Sequence, residues 1–188
     1  MYIGSFVNIT SRAWALPILS NLHAGIAGRQ APLVAATGAC RTAFAQSMDH
    51  LITMGLVERN PGYGHPLRPE FRLTPLGITA AAIANKIQNV SADEDQGLLR
   101  RSWTLPVLTS LHSPSHFNDI KRKLPTITDR ALSQSLKSME VKNWVCRSVD
   151  ETARPPRSIY QAVNTGEVIS KVTAPEISFV SQNQTFVQ

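Results

Sequence analysis

Residues 12–23 read Arg-Ala-Trp-Ala-Leu-Pro-Ile-Leu-Ser-Asn-Leu-His, and residues 101–112 read Arg-Ser-Trp-Thr-Leu-Pro-Val-Leu-Thr-Ser-Leu-His. The stretches lie 89 positions apart and are identical at 7 of 12 positions; unrelated stretches would share roughly one. The similarity continues downstream. At an offset of 88, Arg41–Met48 aligns with Asp129–Leu136, and Val57-Glu58-Arg59 with Val145-Cys146-Arg147. At 89 again, Pro66–Phe71 meets Pro155–Tyr160 and Gly77 meets Gly166. A one-residue change of offset is what a surface loop absorbs. Two copies at so long a period indicate duplicated domains, each large enough for a small core. The expected division is a first domain over 1–88, an acidic linker over 89–97, a second domain over 98–171 and a polar tail over 172–188. The linker is expected to be partly helical, and the tail to be disordered or to serve as an interface strand.

Charge follows the same division. Residues 1–90 hold seven Arg/Lys and three Asp/Glu, residues 98–188 hold twelve and seven, and Asp93, Glu94 and Asp95 lie between. Both copies are therefore basic, with an acidic joint. A pI of about 9.7 favours a polyanionic partner, nucleic acid first. The start Met1–Val7 has no basic n-region or long apolar core, and no apolar run is long enough to span a bilayer. The expectation is a bacterial cytoplasmic, nucleoid-associated protein without a membrane partner. Cys40 and Cys146 do not occupy equivalent repeat positions, so a shared metal site or disulfide is not expected. Both thiols are expected to be buried or inert, with a redox-sensing cysteine as the lesser alternative.

Apolar residues at Trp14, Ile18, Leu19 and Leu22, and at Trp103, Val107, Leu108 and Leu111, share one helical face. Pro17 and Pro106 then sit in the first turn, where a missing N–H is harmless. The tryptophans are expected in the core, and His23 and His112 at helix C-termini rather than in catalysis. Phe117, Ile120 and Leu124 define another helix, which Pro125 stops. After a short turn with Thr128 as N-cap, Leu132, Leu136 and Met139 form the buried face of the next. Phe44, Met48 and Leu51 do the same in the first copy. Gly55 and Asn143 suit left-handed caps. The β-prone runs 56–59 with 70–73, and 144–147 with 158–161, read as hairpins, and a further helix follows each. The order is helix, helix, turn, helix and hairpin. The fold class is thus mainly α with small β-hairpin wings (α+β): two tandem winged helix-turn-helix domains in a pseudo-two-fold arrangement.

The residues of the second copy also resemble a known family. Arg101–Leu108, Phe117–Arg122, Ile127–Lys137 and Arg154–Tyr160 are similar to the opening helix, helix-turn-helix and wing of HxlR-type regulators, relatives of the MarR group. Leu73-Thr74-Pro75-Leu76-Gly77 in the first copy is similar to the end of the same module. The resemblance covers residues 10–87 and 98–170 and is weaker over 24–40. It implies a DNA-binding transcription regulator. The chain departs from the family by fusing two modules. It lacks the cysteine that some members carry before the first helix, so their thiol sensing is not implied.

Helical geometry places Arg130, Ser133, Gln134 and Lys137 opposite the buried face of the second reading helix, with Thr128 at its start. In the first copy it exposes Thr42, Ala45, Gln46 and Asp49, with Arg41 at the flank. Gln46 and Gln134 are repeat-equivalent, and a glutamine can pair bidentately with adenine. Arg68, Arg72, Arg154 and Arg157 flank the wings, and Lys121, Arg122 and Lys123 precede the turn; these suit phosphate contact. A solvated basic face is the bland alternative for every one of these residues.

The expected function is a sequence-specific double-stranded DNA-binding transcriptional regulator, a repressor in the first instance. It reads two unequal half-sites with recognition helices 41–54 and 128–142. The alternative is a winged-helix protein-interaction scaffold without sequence-specific binding. Salt-dependent duplex binding separates the two. No phosphate loop, metal-spaced cluster or nucleophile–base pair stands out, so neither an enzyme nor a cofactor is expected. A homodimer and an unidentified small-molecule effector stay open.

Overall fold

The structure is a computed structural model that describes residues 1–60, 70–151, 154 and 156–179. Helix α1 (Ile3–Thr10) opens the chain. The chain divides into two compact units: one is Ile9–Asn89, the other Met1–Asn8 with Val90–Gln188.

In the unit Ile9–Asn89, α2 (Ala15–His23), α3 (Gln30–Thr37) and α4 (Arg41–Thr53) precede a hairpin of β1 (Val57–Arg59) and β2 (Phe71–Leu73), and α5 (Pro75–Asn89) closes it. Pro17 is the third residue of α2, inside the turn whose N–H groups have no helical partner. Ile18, Leu19, Leu33, Phe44, Met48, Leu51, Ile83 and Ile87 are fully buried, the spacing of one face on each helix. Ser20 Oγ donates to Asn85 Oδ1 at 3.3 Å, tying α2 to α5.

The other unit repeats this order. A 3₁₀ turn (Asp93–Asp95) and α6 (Gln96–Leu99) lead into α7 (Thr104–Ser110), β3 (Ser115–His116), α8 (Phe117–Lys123) and α9 (Asp129–Val141). Strands β4 (Val145–Asp150) and β5 (Arg157–Ala162), helix α10 (Asn164–Thr173) and a 3₁₀ turn (Ala174–Glu176) complete it. The sheet is antiparallel in the order β3-β5-β4. Thr109 Oγ1 donates to Thr173 Oγ1 at 2.9 Å; Thr109 stands where Ser20 does, again joining the first helix to the last.

Strand register carries the offsets found in the sequence. Val57 pairs with Leu73 and Val145 with Ala162, offsets of 88 and 89, so the extra residue falls between the hairpin strands. Arg29 bridges Glu70, and His116 pairs with Ile159. The offset before the turn is thus 87, and α3 is the counterpart of α8. This is the stretch in which the sequence match is weakest.

Helices α4 and α9 end alike. Gly55 and Asn143 have φ of 68° and 56°. Beyond them Leu56 N–H reaches Leu51 O at 3.0 Å and Trp144 N–H reaches Met139 O at 2.8 Å, the Schellman pattern. Gly77 and Gly166 are needed for close approach: a Cβ on either would overlap the carbonyl oxygen of Leu56 or Trp144.

Several expectations are corrected. Residues 1–8 group with the second unit, not the first. Ile3 N–H donates to Ser178 O and Ser178 N–H to Met1 O, both at 2.8 Å, while Ile3 and Phe6 are buried. Residues 172–179 are not a loose tail: Val172 and Thr173 finish α10 and Ile177 is buried. The rest of the expected tail, 180–188, lies outside the described residues. Trp14 and Trp103 are half-buried N-cap residues rather than core; Trp144 is buried. Cys40 and Cys146 are exposed, Cys40 at the N-cap of α4 and Cys146 on the outward side of β4, one residue after buried Val145.

Candidate nucleic-acid interface

Helix α9 separates its faces completely. Leu132, Leu136 and Met139 are buried, while Arg130, Ser133, Gln134 and Lys137 are exposed. Its start is fixed by Thr128, whose Oγ1 accepts the Ala131 N–H at 3.2 Å, satisfying one of the free donors of the first turn. Neither Arg130 nor Lys137 has an ion-pair partner among the described residues, so both charges face outward uncompensated. On α4, Phe44, Ser47, Met48 and Leu51 are buried, and Arg41, Thr42, Ala45, Gln46 and Asp49 are exposed. Asp49 lies 3.7 Å from Arg59 at the end of β1. The first unit thus presents a less cationic face.

The cations around the helices divide into free and engaged. Lys121 is paired with Asp129 at 2.5 Å, which fastens α8 to the first turn of α9. Arg122 Nη2 donates to Asp119 Oδ1 at 2.9 Å but remains largely exposed. Lys123 donates to Ser110 O at 2.8 Å and lies 3.4 Å from Ser115 Oγ, so its charge serves the unit's interior. Arg72 is held across the hairpin by Glu58 at 2.6 Å. Arg154 and Arg157 are exposed on the second hairpin. Arg68 lies outside the described residues.

Arg122 and Arg157 are brought to one polar cleft of about 510 Å³, together with His116, Asn118, Ser158 and Tyr160. His116 holds this corner together: Nδ1 is 3.1 Å from Ser158 O and Nε2 3.7 Å from Asp150 Oδ2. The carbonyl can only accept, so Nδ1 carries the proton of that bond. One arginine escaped the reading of the sequence. Arg147 is exposed on β4 and donates to Ser158 Oγ from Nε and Nη2 at 3.0 and 2.8 Å. Its repeat equivalence with Arg59 was the available signal. Among the described residues no cluster of His, Cys, Asp and Glu could hold a metal ion, and no helix is long and apolar enough to cross a membrane.

Helices α8 and α9 thus form a helix-turn-helix with an N-capped second helix and an arginine-bearing wing beside it. Residues 98–185 match the HxlR-like helix-turn-helix family. The match begins at the end of α6 and takes in α7, α8, α9, both strands of the wing and α10, as the resemblance of the second copy implied. The family is one of non-enzymatic, DNA-binding transcription regulators. A solved structure of a MarR-family protein from Porphyromonas gingivalis W83 is similar at 20% identity, covering 45% of this chain and 88% of that one, with a TM-score of 0.40. No curated protein matches the chain.

Proposed function

We propose that the chain is a sequence-specific double-stranded DNA-binding transcription regulator, acting as a repressor. The observation that carries this is the outward face of α9 in the HxlR-like module, made of Arg130, Ser133, Gln134 and Lys137, in which neither cation has an ion-pair partner among the described residues. An arginine can read guanine O6 and N7, and a glutamine adenine N6 and N7, from the major groove. Thr128 and Lys121 hold the start of this helix. Arg122, Arg147, Arg154 and Arg157 supply charge for the phosphates on either side. Arg68 and Arg72 have the corresponding wing role in the first copy, and Arg41, Thr42 and Gln46 the reading role.

The two copies act as tandem winged-helix domains on two half-sites. Since Arg130, Ser133 and Lys137 of α9 stand where Thr42, Ala45 and Asp49 stand on α4, those half-sites differ in sequence and the second dominates. A covalent link raises the effective concentration of the second contact. Selection of bound fragments from genomic DNA, followed by band-shift titration across salt concentrations, tests the reading. Expected are one recovered motif with two unequal halves and an affinity that falls steeply with salt. Arg130→Ala and Gln134→Ala should weaken it more than Thr42→Ala. Recovery of no motif, with salt-independent or absent duplex binding, would leave the scaffold as the better reading.

A further inference from the structure

A shallow groove of about 530 Å³ runs beside α9, lined among others by Glu94, Arg101, Gln134, Lys137 and Lys142. It places two cations from outside the predicted reading face next to that face, and their charges are in different states. Lys142 Nζ lies 3.4 Å from Asp95 Oδ1, and the Asp95 side chain is only 8% exposed against 40% for Lys142. The other carboxylate oxygen accepts the Ala92 N–H at 3.1 Å, so the acid is fixed by its own turn. Moving Lys142 to a phosphate would strand a buried carboxylate, which is costly. Arg101 is different. It is exposed, and Nη1 donates to Ser138 Oγ at 2.8 Å, while Ser138 Oγ donates to Gln134 O at 2.9 Å. No carboxylate pairs with Arg101 among the described residues. It shares the groove with Glu94 without pairing with it, and is joined through one hydroxyl to the backbone of the residue that would read adenine.

We infer that Asp95 withholds Lys142 from DNA phosphate, while Arg101 supplies a phosphate contact beside Gln134. The acidic joint thereby sets how much positive charge the second reading helix offers. This rests on the DNA-binding reading above.

The test is the salt dependence of binding by the full chain to its selected duplex, for the unaltered protein, Arg101→Gln, Lys142→Gln and Asp95→Asn. Each phosphate contact contributes about 0.9 to the slope of log K against log salt. Arg101→Gln should lower the slope by about that amount and weaken binding, and Lys142→Gln should leave the slope unchanged. Asp95→Asn keeps an oxygen for the Ala92 N–H and frees Lys142, so it should steepen the slope by about 0.9 and tighten binding roughly threefold or more at 0.1 M salt. The inference is overturned if Lys142→Gln lowers the slope as much as Arg101→Gln, if Arg101→Gln leaves it unchanged, or if folded Asp95→Asn does. Should Asp95→Asn fail to fold, the two surface variants decide alone. Absence of duplex binding by the unaltered protein is a separate result, visible before any variant is compared, and it would overturn the DNA-binding reading itself.

Discussion

Gly166 sits where α10 crosses the carbonyl of Trp144, and Gly77 sits where α5 crosses that of Leu56. The same carbonyls accept Val163 N–H at 2.8 Å and Thr74 N–H at 3.0 Å, so neither can retreat without losing a ladder bond. Gly166→Ala is therefore expected to cost about 1–3 kcal/mol of stability through overpacking against backbone, read by denaturant titration; an unchanged midpoint would show that α10 can shift. The outward residues of α9 were legible because a helix has one period, and burial of Leu132 and Leu136 puts Gln134 on the other side. The state of each cation was not legible. Lys121, Lys123, Arg72 and Lys142 find their partners across turns and strands, at separations no local pattern encodes.

Among elements, α4 and α9 and the two hairpins could be read in advance. Their apolar residues recur at helical spacing, and their β-prone runs are bounded by Gly, Pro and Asn. Helix α3 could not, since Gln30–Thr37 buries only Leu33 and carries no periodic face. Strand β3 has two residues, too short for alternation to register, and exists because β5 offers it an edge. Helix α9 depends on its cap: Thr128→Ala removes the acceptor of the Ala131 N–H and should lower stability by about 1 kcal/mol. Thr128→Asp should retain most of it, since Asp also caps and suits the positive helix terminus. Equal loss in both variants would mean that Thr128 acts by packing instead. On duplex DNA the two should part further, because Asp adds a negative charge beside Arg130.

For the whole molecule, the duplication was legible and its boundary was not. The repeat located two similar frames, but the grouping of Met1–Asn8 with Val90–Gln188 comes from a parallel bridge between Tyr2 and Ser178, a pairing of distant segments. The opening residues thus complete the HxlR-like unit from outside its contiguous sequence. Phe6 is fully buried, so Phe6→Ala should destabilise this unit by about 3–5 kcal/mol, read as an earlier loss of amide protection in α10. Unaltered protection there would show that α1 is dispensable to it. The proposed regulator acts through sequence-specific DNA binding. Its most direct measurement is the ratio of affinities for the selected duplex and a scrambled duplex at fixed salt, with and without Gln134→Ala. The proposed reading predicts a ratio of about a thousand or more, lowered roughly ten- to a hundredfold by loss of one bidentate contact while binding to the scrambled duplex is unchanged. A ratio near one for the unaltered protein, or one that Gln134→Ala does not move, would contradict the assignment of α9 as the helix that reads DNA.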